Sequence, residues 1–210
     1  MANLEIEFCG VKIKNPLVAA SAEPTLNANN MKKCIDTGAG GVIAKTMTDS
    51  APMRELTTRS KWRFLNERHE VCQGRVPRAF TLYGRSGLAL EEPKYFLKEI
   101  RETVSYATKN EAVVIGSIAS TEVSGWVELG KQIEDAGVPL IELNFGCPNP
   151  KLMPGVRTGM NVGQDFEYGC EITRAVVDSV NVPVMIKVTP QVTDLVGFTG
   201  RLKEAGASAV

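Results

Sequence analysis

Short, almost uninterrupted apolar runs recur along the chain and alternate with stretches of helical character. A run without polar alternation is typical of a parallel strand covered on both faces, whereas a strand with one wet face alternates apolar and polar residues. The predicted strands are LVAAS (17–21), GGVIAKT (40–46), RAFTLYG (78–84), AVVIGSI (112–118), LIELNF (140–145), PVMIKVT (183–189) and ASAV (207–210). The predicted helices are 28–37, 91–108, 124–136, 166–180 and 194–205. This alternation predicts an α/β protein built from repeated strand and helix units.

Three of the predicted helices end in the same way. Gly38, Gly137 and Gly206 each follow the last helical turn and precede a strand, in DTGAGGVIAKT, EDAGVPLIELN and KEAGASAV. Glycine adopts the left-handed conformation that closes a helix without a steric penalty. The recurrence predicts one helix-to-strand unit that is repeated along the chain. The opening LEIEFCGVKIKNP predicts a small hairpin that turns at Cys9–Gly10 and closes one end of a barrel.

The alternation fits an open doubly wound sheet or a closed (β/α)8 barrel. No GxGxxG motif follows the first predicted strand, where a dinucleotide-binding sheet would carry it. Polar residues end successive strands, and the sites of (β/α)8 barrels lie at the carboxyl ends of their strands. We therefore expect a (β/α)8 TIM barrel. A complete barrel takes about 250 residues, so residues 1–210 are expected to be the N-terminal portion of a single barrel domain that ends early in strand 7.

Composition and charge narrow the classes of function. The 24 basic and 24 acidic residues balance, so no global nucleic-acid footprint is visible. The longest apolar runs have the length of strands, which argues against a membrane span, and the N-terminus lacks the pattern of a signal peptide. Five cysteines without CxxC pairs argue for reduced thiols in a cytoplasmic protein and against a metal site. The single histidine, His69, disfavours Ser-His or Cys-His catalysis.

Polar residues at the ends of the predicted strands form the candidate site. The strand LIELNF delivers Asn144 and, three residues later, Cys147, while two other strands deliver Lys45 with Thr46 and Lys187. A lysine at the end of an apolar strand loses hydration unless it meets an anion or a polar cofactor. The carboxyl ends of parallel strands meet at one edge, so we expect these side chains to lie together.

Two interpretations of the lysines remain open. Either each lysine pairs with a carboxylate such as Glu23 or Glu142, or both converge with Asn144 on a bound cofactor. A flavin fits the second interpretation, because positive charge near the pyrimidine edge of its ring stabilises the anionic reduced form. Taken alone, Cys147 would be interpreted as a small buried hydrophobe, which is the usual environment of an unpaired cysteine.

Several segments together resemble the dihydroorotate dehydrogenase family. They occur in the order and spacing of that family over nearly the whole chain: NPLVAASAEPT (15–25), AKT (44–46), GSIAS (116–120), ELNFGCPNP (142–150), GMNVGQD (159–165) and IKVTPQVTD (186–194). ASAEPT, GQD and VTPQVTD are most similar to the branch that contains dihydropyrimidine dehydrogenases. The resemblance implies an FMN-binding (β/α)8 barrel. It also implies an oxidoreductase of pyrimidine metabolism that acts on a CH–CH group and moves a hydride between the ring and the flavin.

The resemblance implies cofactor contacts at three strand ends. Ala20 and Ser21 would hold the flavin at the end of the first strand. Lys45 and Thr46 would contact the flavin from the second strand, and Lys187 would lie against its ring.

The same resemblance implies the residues that bind and protonate the substrate. Lys45 would contact the substrate as well as the flavin, and Asn144 and Asn149 match asparagines that hydrogen-bond the pyrimidine. Cys147 matches the catalytic acid/base, which would exchange the proton that accompanies hydride transfer. The segment KLMPGVRTGMN (151–161) is expected to be a mobile lid over the site.

Departures from the family leave the substrate open among orotate, uracil, thymine and other rings. LYGRSGLALEE (82–92) and ASTEVSGW (119–126) lack asparagines that relatives carry there. Glu23 lies where relatives usually have an uncharged residue, and it either recognises a cationic part of the substrate or pairs with Lys45. The expected partners are a small pyrimidine-like substrate and an electron-transfer subunit or iron–sulfur domain, and a second copy of the chain is an open expectation.

Two alternatives belong to other classes of function. NFGCP also resembles the tRNA dihydrouridine synthases, and residues 51–78 carry seven Arg or Lys against three Glu. That basic stretch either contacts phosphate, RNA or a partner subunit, or is a solvated excursion between two strands; the neutral net charge argues against RNA. The other alternative is a redox-inactive barrel that serves as a subunit, or a lyase without a flavin.

Overall fold

The structure is a computed structural model that describes residues 3–59, 61–84, 86–148 and 155–210. Its strands are β1 (Ile6–Phe8), β2 (Val11–Ile13), β3 (Val18–Ala19), β4 (Gly41–Ile43), β5 (Arg63–Leu65), β6 (Thr81–Tyr83), β7 (Val113–Ile118), β8 (Leu140–Asn144) and β9 (Val184–Lys187). Its helices are α1 (Ala28–Asp36), α2 (Ala51–Thr58), α3 (Pro93–Lys109), α4 (Val123–Glu134), α5 (Met160–Gly163), α6 (Phe166–Val177) and α7 (Leu195–Glu204), with a 3₁₀ helix at Glu23–Thr25.

A parallel sheet that follows chain order forms the centre of the fold. Within the described residues, β3, β4, β7, β8 and β9 pair in that order, each parallel to the next. A helix precedes each of the later strands, and a parallel bridge from Met185 to Ala209 continues the sheet beyond β9. Strands that add in sequence order through helical crossovers build the wall of a (β/α)8 barrel. The predicted barrel architecture is therefore confirmed over the part of its circumference that the chain forms.

The prediction of a parallel strand at 78–84 is wrong. Only Thr81–Tyr83 of that run forms a strand, β6, which pairs antiparallel with β5 and is exposed along its length. β4 lies directly beside β7, and Met47 still bridges Ile118, so residues 48–112 leave and re-enter the barrel wall without adding a strand to it in the described part. The run is rich in aromatic and β-branched residues, which favour strands in any sheet, whether or not it belongs to the core. Ala209 consequently follows the fifth described barrel strand and takes the next position.

The basic stretch between these strands lies on the surface. α2 and β5 carry much of it, and Trp62 and Phe64 are both about two-fifths exposed (41% and 42%). Phe64 packs edge-on against Phe80, with 5.1 Å between ring centroids. The interpretation as an excursion outside the barrel wall is confirmed for the described residues.

Aromatic packing anchors the carboxyl end of β8, where the candidate site begins. Trp126 of α4 is fully buried and meets Phe145 edge-on, with 5.5 Å between ring centroids. Phe166 of α6 and Phe198 of α7 stack with 4.4 Å between ring centroids. Burial of an aromatic side chain of this size stabilises a fold by about 1.5–3 kcal/mol. The backbone that follows Asn144 is therefore anchored in the hydrophobic core.

The predicted turns are confirmed where glycine is required. Gly38 and Gly137 adopt φ of 104° and 90° just after α1 and α4, and each leads into the next strand. The opening residues form the antiparallel β1–β2 hairpin, which turns through Cys9 and Gly10 at φ of 52° and 77°. Positive φ at two consecutive residues matches the right-handed twist of a tight hairpin.

Across the described ranges, no helix is both long enough and apolar enough to cross a membrane.

Candidate active site

The hydroxyl of Thr46 is the centre of a hydrogen-bonded row that crosses the sheet. Its Oγ1 lies 3.2 Å from Ser21 Oγ, 2.8 Å from Ser117 Oγ and 3.0 Å from Asn144 Nδ2. Thr46 follows β4, Ser21 follows β3, Ser117 belongs to β7 and Asn144 ends β8. Four neighbouring strands therefore bring polar residues into one cluster, as the strand-end pattern predicted for Thr46 and Asn144.

The row continues to a buried carboxylate and an ammonium group. Ser117 Oγ donates to Glu142 Oε1 at 2.7 Å, and Lys187 Nζ donates to the same oxygen at 2.8 Å. The strand register produces these contacts, because Ser117 lies opposite Glu142 and Asn144 lies opposite Lys187. The Glu142 side chain is 1% exposed and that of Lys187 is 39% exposed. We call Ser21, Thr46, Ser117, Glu142 and Lys187 the polar row.

Hydrogen-bond capacity fixes the direction of each proton in the polar row. An ionised Glu142 only accepts, so the single proton of Ser117 is used on Glu142 and Ser117 must accept from Thr46. The Thr46 proton is then used, so Ser21 donates to Thr46 and itself accepts from the Thr46 backbone N–H at 3.0 Å. All the hydroxyl dipoles point toward Glu142.

The same logic fixes the side-chain amide of Asn144. Its Nδ2 donates to Thr46 and its Oδ1 accepts from the backbone N–H of Gly146 at 3.1 Å. Reversing the amide would place a donor against a donor at Gly146. Each contact uses one of two positions, so the amide retains one N–H and one lone pair that its described neighbours do not use. Asn144 can therefore offer a ligand one further donor and one further acceptor.

Lys45 is buried at the end of β4 beside a second carboxylate. Its Nζ lies 3.3 Å from Glu23 Oε1 and 2.5 Å from Ser86 Oγ. Burial lowers the pKa of Lys45, and Glu23 and Cys147 oppose this shift while Lys187 adds to it. For Glu23, burial raises the pKa, but hydrogen bonds from Ser86 and the backbone, together with Lys45, outweigh burial and leave a lowered pKa.

The structure confirms that each lysine pairs with a carboxylate: Lys45 with Glu23, and Lys187 with Glu142. The strand ends also converge, because Thr46, next to Lys45, is hydrogen-bonded to Asn144, which lies opposite Lys187 in the sheet. The two interpretations of the lysines are thus compatible. Each ammonium group has one carboxylate partner, and both lie in one cluster.

The backbone that carries Cys147 packs closely against the short helix α5. Cys147 is partly buried against the core, and its carbonyl oxygen accepts from the N–H of Met160 at 2.8 Å. A Cβ on Gly159 would lie 2.5 Å from that oxygen, and one on Gly163 would lie 2.4 Å from the carbonyl oxygen of Phe145. Both distances are shorter than real Cβ contacts, so only glycine lets α5 approach. The segment GMNVGQD contained this signal in its two glycines, four residues apart.

The remaining predictions concern Ala20, Asn149, the lid, the cysteines and a metal site. Ala20 follows β3, and its carbonyl oxygen accepts from Thr25 Oγ1 at 3.3 Å. Asn149 and residues 151–154 of the predicted lid lie outside the described residues. None of the five cysteines, all within the described ranges, forms a disulfide. In the described part of the chain, no group of three His, Cys, Asp or Glu residues could hold a metal ion.

Ser117 and Ser86 complete the cluster, although neither was predicted as a site residue. Ser117 had a visible signal, because it is a hydroxyl inside the otherwise apolar run AVVIGSI. Ser86 had none, because it lies on the long connection between β6 and α3 and meets Lys45 only in the folded chain.

Comparison with known proteins gives the family. The family profile described as dihydroorotate dehydrogenase matches residues 74–209. The NAD-dependent dihydropyrimidine dehydrogenase subunit PreA of Escherichia coli K12 is 30% identical over 214 residues, which cover 99% of this chain and 47% of that protein. The catalytic subunit of dihydroorotate dehydrogenase B (NAD(+)) of Caldicellulosiruptor saccharolyticus is 30% identical over 213 residues, which cover 99% of this chain and 61% of that protein.

Two further comparisons agree in fold and extent. The chloroplastic dihydropyrimidine dehydrogenase (NADP(+)) of Arabidopsis thaliana is 29% identical over 92% of this chain and 44% of its own length. A solved complex of 2-naphthoyl-CoA reductase superposes with a TM-score of 0.55 at 10% identity, over 88% of this chain and 35% of that one, and supports the fold alone. The chain spans about half to three-fifths of the length of the curated relatives it matches. It belongs to the dihydroorotate dehydrogenase family.

Proposed function

We propose that the protein is an FMN-dependent oxidoreductase that acts on the C5–C6 bond of a pyrimidine or a related small ring. Residues 1–210 would be the N-terminal portion of its FMN-binding barrel domain. The observation that carries the proposal is the convergence of Lys45, Lys187, Asn144 and Cys147 at the carboxyl edge of the sheet. Family membership adds the reaction class, since relatives are named as dihydropyrimidine and dihydroorotate dehydrogenases.

The donor set fits a flavin, which the family implies. Two ammonium groups lie in one cluster with hydroxyls and an amide, and this set suits the carbonyl-rich pyrimidine edge of an isoalloxazine. Lys45, Thr46 and Lys187 would contact the flavin, with Ala20 and Ser21 at the end of β3. When bound, the flavin supplies the acceptor or donor of the hydride that the C5–C6 bond exchanges.

Asn144 fits the substrate for a reason of hydrogen-bond geometry. Its retained N–H and lone pair match the adjacent C=O and N–H groups of a lactam, which a pyrimidine ring presents. Asn149, which follows on the same connection, is proposed as a second amide contact.

Cys147 would move the proton that balances hydride transfer. In the reducing direction, hydride reaches one ring carbon and the thiol gives its proton to the neighbouring carbon. A thiol with a pKa of about 8.5 is mostly protonated at neutral pH, which suits a donor. In the oxidising direction the thiolate must accept the proton, and the nearby ammonium group of Lys45 favours that charged form.

The proposal is tested with Cys147→Ser in the purified protein loaded with FMN. We expect the variant to retain its flavin and to slow the proton-coupled half-reaction by at least about a hundredfold, the usual contribution of a positioned acid or base. Cys72→Ser is the matched control, because Cys72 lies on the surface excursion beyond β5. Stopped-flow absorbance of the flavin measures the rate, and turnover equal to wild type in Cys147→Ser would contradict the acid/base role.

The same preparation separates the alternatives. Reoxidation of reduced protein by uracil, thymine, orotate and unmodified tRNA distinguishes pyrimidine chemistry from RNA chemistry, and a folded but colourless protein would favour a redox-inactive barrel or a lyase. Two relatives are named as subunits, so we also propose an electron-transfer subunit or iron–sulfur domain as partner. A second copy of the barrel, in a homodimer, is the other partner we propose. We also propose a cytoplasmic location, because the sequence pattern of its five cysteines favours reduced thiols.

A further inference from the structure

Several hydrogen bonds hold the turn that carries Glu23, the carboxylate partner of Lys45. Glu23 opens the 3₁₀ helix directly after β3, and its carbonyl oxygen accepts from Asn30 Nδ2 at 3.3 Å. The buried Thr25 fixes this turn, because its Oγ1 accepts from Ala22 N at 3.1 Å and its carbonyl oxygen accepts from Lys45 N at 3.0 Å. The backbone of Glu23 is therefore fixed, and its carboxylate is held by Lys45 and by a hydrogen bond from Ser86.

The ion pair that Glu23 forms has its ammonium group inside and its carboxylate outside. The side chain of Lys45 is 3% exposed and that of Glu23 is 46% exposed. The charge of Lys45 is already balanced by Glu23, with Ser86 as a second partner. A ligand that reaches Lys45 from solvent meets the carboxylate of Glu23 first. A substrate carboxylate placed there would face a like charge, whereas an uncharged ring would face no such penalty.

We propose that Glu23 determines substrate specificity by excluding rings that carry a carboxylate next to Lys45, so that the protein acts on uncharged pyrimidine-type rings. This inference rests on the proposed function, because it concerns the same site. It requires that anionic rings bind more weakly than neutral rings of the same shape. Because Glu23 is about half exposed, solvent screens its charge, and we expect the discrimination to be about five- to tenfold.

The test uses the FMN-loaded protein and two ligands, uracil and orotate, titrated against the flavin absorption spectrum. Wild type should bind uracil more tightly than orotate. Glu23→Gln keeps an acceptor for Lys45 and removes the charge, and it should tighten orotate by about five- to tenfold while uracil stays within about twofold. Glu92→Gln is the matched control, since Glu92 is a surface carboxylate paired with Lys94 at 3.0 Å, and it should leave both affinities unchanged.

A second measurement does not depend on any variant. Salt screens like-charge repulsion at a half-exposed site, so raising the ionic strength should improve orotate binding relative to uracil in wild type. Equal or tighter binding of orotate by wild type, or equal shifts for both ligands in Glu23→Gln, would overturn the role of Glu23 and leave the oxidoreductase proposal standing. If neither ring perturbs the flavin, the proposed function itself fails, and the specificity proposal fails with it.

Discussion

The pair formed by Glu142 and Lys187 allows a stability prediction in which the two single substitutions differ. Glu142 is 1% exposed, whereas Lys187 is 39% exposed. Lys187→Met removes the ammonium group and leaves a buried carboxylate with Ser117 as its described hydrogen-bond donor. Glu142→Gln removes the carboxylate but leaves an acceptor for Ser117 and an ammonium group that water can reach. We therefore expect Lys187→Met to cost more stability than Glu142→Gln.

The magnitudes follow from burial. Removing one partner of a buried ion pair costs about 3–5 kcal/mol, because the remaining charge is left without compensation. That range applies to Lys187→Met, where the remaining charge is the buried one. For Glu142→Gln, we expect about 1–2 kcal/mol, since the remaining charge is partly hydrated and the neutral hydrogen bond survives. The double variant should cost about 1–3 kcal/mol less than the sum of the single variants.

Urea unfolding of the flavin-free protein measures these differences without cofactor binding. With a slope of about 2 kcal/mol per M, a gap of about 2 kcal/mol separates the two midpoints by about 1 M. Equal destabilisation by the two single substitutions, or a larger loss in Glu142→Gln, would refute the reasoning from burial. Strict additivity in the double variant would show that the two side chains are not coupled.

Two further predictions concern the thiol and its support. Gly159→Ala should lower the free energy of unfolding by about 2–4 kcal/mol, because Gly159 has φ of 50° and an added Cβ would collide with backbone. Gly200→Ala, in open space on α7, should raise it by about 0.5–1 kcal/mol. Thermal denaturation of both variants measures the difference, and equal effects would contradict the prediction. Burial raises the pKa of the Cys170 thiol above its ordinary value and leaves the residue 3% exposed, so Cys170 should react with iodoacetamide more slowly than the partly exposed Cys147. Mass spectrometry of the peptides shows which thiol reacts, and labelling of Cys170 before Cys147 would contradict the burial argument.

Much of the barrel could be predicted because its signals are local. Uninterrupted apolar runs mark strands buried on both faces, and a glycine at a helix end marks the turn back to the sheet. The prediction of a barrel strand at 78–84 was wrong because strand propensity does not distinguish a surface hairpin from a strand of the barrel wall. Deciding between them requires knowing which strand lies beside β4, and that is a long-range property of the sheet.

The candidate site could be predicted to a similar extent as the barrel. Lys45, Asn144 and Lys187 end strands, so their convergence followed from the architecture. Their partners depend on register: Ser117 meets Glu142 because the two are opposite each other in adjacent strands, and no local pattern specifies that alignment. The roles of these residues toward a flavin and a pyrimidine stay predictions.

The two ion pairs of the site have opposite polarity with respect to solvent. One has its cation inside and its anion outside, and the other has the reverse arrangement. The formal charges of the four groups cancel, yet the more exposed groups, Glu23 and Lys187, differ in sign, so an electric field would run between them. A ligand with no net charge but a large permanent dipole gains energy in such a field by turning to align with it. The field of these four charges would therefore orient a lactam ring as it enters, before any hydrogen bond to the ring has formed.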